Sequence, residues 1–315
     1  MSIYKSELFN NFKVISSSDK TIFLHLDLSD SLSFYKSLFD YFFDENRLLR
    51  YIENKSHLTF CPNKKNYATL YKNLLYFIDD FNQKIQLKDL EQKVLNIIAE
   101  EYELNVDANG NFYVRLDKMG KIGEYIFCNI LSEYYGFDCI IPKIQLSTDF
   151  NMSIYGIDVL FYSSKEDLIL FGESKLSKSL SNGINLLNKS LETYEDQISN
   201  EYYLIFSNRL LKDKLGKFGN KYAKEIEYTT NIQDFISLAG IKRIAIPLFI
   251  AHGTDIDPEI IIKQLNKINK SAILGLETQY IIISLPFINK SKIISVFTEK
   301  IRERMVFYEQ SANNK

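Results

Sequence analysis

Residues 155–179 read YGIDVLFYSSKEDLILFGESKLSKS. Two apolar, strand-like runs flank the polar turn SSKED. Strand period two puts Ile169, Phe171, Glu173 and Lys175 on one face. If the runs close as a hairpin through SSKED, Asp158 becomes a cross-strand neighbour of Glu173. Gly172 permits close backbone approach beside the acid. A carboxylate inside a strand is costly to bury without a partner. Two carboxylates and a lysine converging from adjacent strands make a site for a hard divalent cation with an ammonium beside it. That constellation suits hydrolysis of a phosphodiester bond. The other reading is an ordinary ion pair, with Asp158 neutralising Lys175 at a sheet edge.

The acid-x-Lys spacing recurs at Glu53/Lys55 and Glu91/Lys93, but in polar, helix-like surroundings where solvated charges are expected. Upstream, 120–135 reads as an amphipathic helix with Ile122, Ile126, Ile130 and Leu131 on one side and Gly136 as its stop. Glu124 sits on that helix and supplies a candidate third carboxylate. Its other reading is a surface acid near a positive helix N-terminus.

These residues carry a resemblance. Helix-Glu, strand-Asp, strand-Glu-x-Lys resembles the PD-(D/E)xK nuclease superfamily. More narrowly, GKIGEYIFCNILSEYYG, IIPKI, YGIDVLF and FGESKL are similar to the HamA family of the Hachiman antiphage defence system and its relative AbpA. The similarity runs from about Lys118 to Ser190, with weaker agreement toward the C-terminus. One departure is that Ile157, not proline, precedes Asp158. The resemblance implies an α/β (α+β) restriction-endonuclease-like core, a mixed central sheet flanked by helices. It implies that Asp158, Glu173 and the Ser174 carbonyl hold Mg²⁺ (or Mn²⁺), and that Glu124 ligates directly or through water. Lys175 would then orient the attacking water or stabilise charge on the phosphate. It further implies a DNA nuclease with little sequence preference, controlled by a superfamily-two helicase partner (HamB). Two alternatives stay open: a catalytically silent helicase-docking or DNA-end-binding module, and a stand-alone repair or restriction nuclease.

Composition bounds these readings. With 46% hydrophobic and 25% charged residues, the 315-residue chain has the balance of a globular protein with a sizeable core. A net charge of −2 means that any DNA contact must be local or shared with a partner. The best local candidate is NRLLKDKLGKFGNKYAKE at 208–225, where Lys214, Lys217, Lys221 and Lys224 recur at helix spacing. It reads either as a phosphate-contacting stripe, with Tyr222 stacking on an unpaired base, or as a solvated helix face.

Cys61, Cys128 and Cys139 show no CxxC spacing and fit reduced core thiols in a cytoplasmic protein. The N-terminus lacks the pattern of a signal peptide, and no apolar run is long enough to span a bilayer. His25, His57 and His252 lie away from the candidate strands. Asp257-Pro258 reads as a helix N-cap with proline at the first position rather than as part of a second metal cluster with His252, Asp255 and Glu259. Gln197, Tyr202 and Tyr203 read as a helix-end amide and core aromatics.

Two regions are expected: a mostly helical one over 1–112, a candidate regulatory or partner-docking element, and a nuclease domain with a strand–helix extension over 113–315. Helix-period residues mark 32–51 and 67–103, with a short strand pair before them. The second region reads as helix, three strands, a helix over 180–199, a short strand over 202–206, then strand, helix, strand and a long last helix.

Overall fold

The computed structural model describes residues 4–26, 31–42, 84–86, 105–106, 112–115, 120–141, 157–177, 179–206, 216–253, 257–286 and 290–313. Its centre is an eight-stranded mixed sheet. The strands are β1 (Lys5–Phe9), β2 (Phe12–Ser17), β3 (Lys20–His25), β7 (Asp138–Ile141), β8 (Val159–Ser163), β9 (Leu168–Ser177), β10 (Arg243–His252) and β11 (Glu277–Leu285). Their spatial order is β1-β2-β3-β11-β10-β9-β8-β7. The middle strands β3, β11, β10 and β9 run parallel, and antiparallel hairpins extend the sheet at both ends. A second, three-stranded sheet is formed by β4 (Lys84–Gln86), β5 (Asn105–Val106) and β6 (Phe112–Arg115).

The alternation predicted through Ile169, Phe171, Glu173 and Lys175 is what divides the layers. One face of the sheet carries Leu168, Leu170, Val159, Phe161, Ala245 and Phe249. It packs under helices α1 (Ser31–Phe42), α2 (Gly120–Glu133) and α9 (Lys290–Asn313). The other face carries Ile169, Phe171, Leu160, Tyr162, Leu248 and Ile250. It packs under α3 (Leu180–Leu191), α4 (Tyr194–Phe206), α5 (Gly216–Lys221), α6 (Ala223–Tyr228), α7 (Ile232–Ala239) and α8 (Pro258–Leu265). Strands β9 and β10 are buried on both faces, which is why their sequences read as near-continuous apolar runs. Pro247 lies inside β10, and the β9–β10 pairing skips Ile246 and Pro247, where the ladder loses an N–H.

Three expectations change. Residues 202–206 are not a strand but the end of α4, whose buried Tyr194, Ile198 and Tyr202 recur every four residues. The aromatic and β-branched run YYLIF mimics a strand, and the helical period of the whole segment overrides it. The single helix over 180–199 is interrupted at Glu192–Thr193 and becomes α3 and α4. Lys84–Gln86, inside the stretch read as helical, is a strand. Elsewhere in 67–103, and over 43–51, the reading lies outside the described residues.

The strand pair expected near the N-terminus is present as β2 and β3, and β3 pairs with β11 in parallel. Residues 5–25 thus share the eight-stranded sheet with the strands that follow 112. An aromatic cluster fastens them to the turn that follows α2: Phe9 and Phe23 meet Tyr134 edge-on at centroid distances of 5.1 and 5.0 Å. Among the described residues no helix is long and apolar enough to cross a membrane.

Candidate active site

Strands β8 and β9 form the expected hairpin, with Val159 opposite Gly172. One step further along that register, Asp158 falls opposite Glu173. Asp158 lies just before β8, and its backbone N–H donates to the Gly172 carbonyl at 2.9 Å. Because β8 begins only at Val159, it offers no further ladder partner to β9, and the Asp158 side chain takes that place. Its Oδ2 accepts the Ser174 backbone N–H at 2.6 Å and the Ser174 hydroxyl at 2.9 Å.

Glu173 and Lys175 project to the opposite face, toward α3 and α4. Glu173 is only 3% exposed. Its Oε1 accepts from the Lys175 ammonium, while its buried Oε2 has no hydrogen-bond partner among the described residues. Burial first, then the charge of Asp158, pushes the Glu173 carboxyl up to about 7, against the lowering effect of Lys175. The Ser190 hydroxyl lowers it slightly from nearby, without the geometry of a hydrogen bond to Oε2. Beneath this pair, the fully buried Tyr194 donates to the Phe171 carbonyl at 2.9 Å. Burial, then the charges of Glu173 and Asp158, raises the Tyr194 phenol well above its ordinary value and keeps it neutral.

Lys175 feels the charge of all three acids. Burial opposes its ammonium, but the charges of Glu173 and Asp158, the Glu173 hydrogen bond and, last, the charge of Glu124 raise its pKa on balance. The half-buried Glu124 directly follows the first turn of α2, which lies close over β9. A Cβ placed on Gly123 would stand 3.7 Å from the Leu176 Cβ and 3.9 Å from the Ser174 hydroxyl oxygen. The four residues singled out in the sequence therefore share one electrostatic neighbourhood. Their carboxylates are not gathered into a cage: among the described residues no group of three or more His, Cys, Asp or Glu stands ready to hold a metal. A cage is not what Mg²⁺ requires, since it is commonly held by one or two carboxylates and keeps several waters. The oxygen donors and the unpartnered buried Oε2 of Glu173 fit such an ion.

The raised Glu173 pKa has a measurable consequence. The folded protein holds a proton that an unfolded glutamate, with its ordinary value of 4.5, releases at lower pH. Stability from this group is present at low pH and is lost as pH rises through about 7. Melting curves of the metal-free protein should show a decline between about pH 5 and pH 8 that is absent or smaller in Glu173→Gln. An identical pH profile for the two proteins would refute the assignment.

The secondary candidates fare differently. Lys217 is exposed on α5 and pairs with Asp138 at 3.1 Å. Lys221, also on α5, pairs with Asp167 and lies over the Tyr222 ring. Lys224 is exposed on α6, after the break between the two helices, and Lys214 lies outside the described residues. One continuous helical stripe is therefore not formed by the described lysines. Tyr222 is no stacking platform: it is 5% exposed and donates to Asp167 at 2.9 Å. Asp257 caps α8, accepting from the Glu259 N–H at 2.9 Å with Pro258 in the first turn. His252 is buried, its Nε2 2.8 Å from the Ser284 hydroxyl oxygen. Gln197 bonds the Thr193 hydroxyl at 3.0 Å at the start of α4. Asp255, His57, Cys61 and the acid-x-Lys pairs at 53/55 and 91/93 lie outside the described residues.

Ser174 is the residue that sequence reading missed as a side chain. Strand alternation points it away from Glu173 and Lys175, and a serine between an acid and a lysine carries no distinctive signal.

Comparison with curated proteins and with solved structures returns no match. A family model, HamA, matches residues 14–301, which takes in Asp158, Glu173, Lys175 and Glu124 together with the N-terminal strand β3. The match extends well beyond the stretch of local resemblance, and with a mixed sheet flanked by helices beneath the same residues, the chain belongs to the HamA family.

Proposed function

We propose that this chain is a metal-dependent DNA nuclease, the effector of an antiphage defence system, with little base preference and under the control of a helicase partner. The observation that carries the reading is that the charges of Asp158, Glu173 and Glu124 all act on the Lys175 ammonium, while one buried Glu173 oxygen has no partner among the described residues. In this reading Asp158 and Glu173 hold Mg²⁺ or Mn²⁺, with Glu124 reaching it directly or through water. When bound, the ion supplies a polarised water and neutralises charge on the phosphate. Lys175 has a raised pKa, so at neutral pH it acts as a hydrogen-bond donor to the attacking water or to the phosphate, not as a base. The buried, neutral Tyr194 and the apolar layer of Ile169 and Phe171 keep the floor of the site dry, which strengthens each of these interactions.

The net charge of −2 supports control by a partner: alone, the chain has little general attraction for a polyanion. The region before residue 112, whose strands β4 and β5 pair with β6 across the boundary, is the candidate docking element for a superfamily-two helicase. The test is digestion of plasmid DNA by the purified chain, alone and with any superfamily-two helicase found encoded beside it. Cleavage should require Mg²⁺ or Mn²⁺ and stop with EDTA. Cleavage that persists in EDTA would overturn the metal role. No cleavage under any condition, with DNA or helicase binding retained, would favour a silent docking module.

Lys217, Lys221 and Lys224 are proposed phosphate contacts. Replacing all three by alanine should flatten the salt dependence of DNA binding by up to about one log unit per lost contact. Two of them are already paired with Asp138 and Asp167, so a smaller change is expected there. An unchanged salt slope would remove this surface from the reading.

A further inference from the structure

We propose that Ser174 is the positioning residue for Asp158, a role that deepens the metal-site reading above and rests on it. Three hydrogen bonds fix Asp158 at the start of the hairpin. Its own N–H reaches the Gly172 carbonyl at 2.9 Å, and its Oδ2 takes the Ser174 N–H at 2.6 Å and the Ser174 hydroxyl at 2.9 Å. Both Ser174 bonds fall on the same oxygen. Oδ1 takes no hydrogen bond among the described residues, and it is the oxygen left for a cation.

The backbone N–H alone allows a carboxylate to swing about one bond; the added hydroxyl gives it two donors from one residue and fixes its plane. Ser174 is itself enclosed, 7% exposed, beneath the first turn of α2 at Gly123, next to Glu124. The middle residue of Glu173-Ser174-Lys175 thus connects the acid that precedes β8 to the helix that carries the third acid, from the face of β9 opposite Glu173 and Lys175.

The experiment is Mn²⁺ titration by calorimetry of the full chain without DNA, in wild type, Ser174→Ala, Ser174→Thr and Ser174→Val, each with a metal-free melting curve. Loss of one hydrogen bond to a charged group should weaken Mn²⁺ binding about fivefold in Ser174→Ala and Ser174→Val. Ser174→Thr, which keeps the hydroxyl, should restore it to within about twofold. In DNA cleavage Ser174→Ala should need about fivefold more Mn²⁺ than wild type to reach half its maximal rate, and Ser174→Thr should not. Mn²⁺ affinity that is unchanged in Ser174→Ala, or equally weak in Ser174→Thr and Ser174→Val, overturns the role of the hydroxyl while leaving the metal site intact. Wild-type protein that neither binds Mn²⁺ nor cleaves overturns the underlying reading, and this proposal with it.

Discussion

Glu173→Gln and Lys175→Met are each expected to lower metal-dependent DNA cleavage by at least ~10²-fold. The two losses have different causes. Glu173→Gln keeps the shape of a side chain that is 3% exposed, but removes the anion proposed to hold the cation. It also relieves the repulsion between Glu173 and Asp158 and the cost of burying a charge, so the variant should fold at least as well as wild type. Lost activity in a well-folded protein then points to chemistry and not to collapse.

Lys175→Met acts twice. It removes the hydrogen-bond donor, and it removes the charge and the hydrogen bond that oppose the rise of the Glu173 pKa. With both gone, Glu173 is protonated over a wider range of neutral pH. The residual activity of Lys175→Met should therefore rise more steeply between about pH 7 and pH 9 than that of wild type. Glu124→Gln should be milder, about tenfold, because Glu124 has the smallest of the electrostatic effects on Lys175. Plasmid digestion at fixed Mg²⁺ across pH measures all three. Cleavage unchanged by Glu173→Gln would remove the site assignment altogether.

The hairpin was legible because it is local. Alternation through Ile169, Phe171, Glu173 and Lys175 set the face, the turn SSKED set the register, and the spacing of Asp158 from Glu173 followed from both. Gly172 was legible as a point of close approach for the same reason. What was not legible depends on long-range pairing or on where a strand stops. The parallel contact of β3 with β11 joins Thr21 to Ile283, and no local pattern announces such a partner. The role of Ser174 exists only because β8 begins one residue after Asp158, leaving a β9 N–H for the side chain to take. Residues 202–206 failed for a third reason. Read in isolation their composition favours a strand, whereas the spacing of Tyr194, Ile198 and Tyr202, read as a set, gives the helix that places Tyr194 beneath Glu173.

Gly172→Ala is expected to destabilise the protein by about 1–3 kcal/mol, although it adds a single methyl group. A Cβ at Gly172 would stand 2.4 Å from the Val159 Cγ2 and 2.9 Å from the Phe127 Cε1. Neither neighbour gives way cheaply. Val159 is β-branched and sits directly opposite in the hairpin, with little χ1 freedom. Phe127 is fully buried on α2 and stacked on Phe249, with ring centroids 5.3 Å apart and planes within 8° of parallel. The strain falls on the backbone of β9, one residue before Glu173, so cleavage should fall along with stability. For a domain of this size the melting temperature should drop by roughly 2–4 °C per kcal/mol. The companion variant Val159→Ala leaves a small cavity and should cost about 1–2 kcal/mol alone. Combined, the new methyl occupies the space that Val159 vacates. The double variant Val159→Ala/Gly172→Ala should therefore be more stable than the sum of the two losses predicts, by about 1 kcal/mol in a double-mutant cycle. Urea unfolding of the four proteins supplies the cycle. Strict additivity, or a single Gly172→Ala variant as stable as wild type, would show that α2 and β8 do not close on β9 at this point. The approach of Glu124 to Lys175 would then need another support.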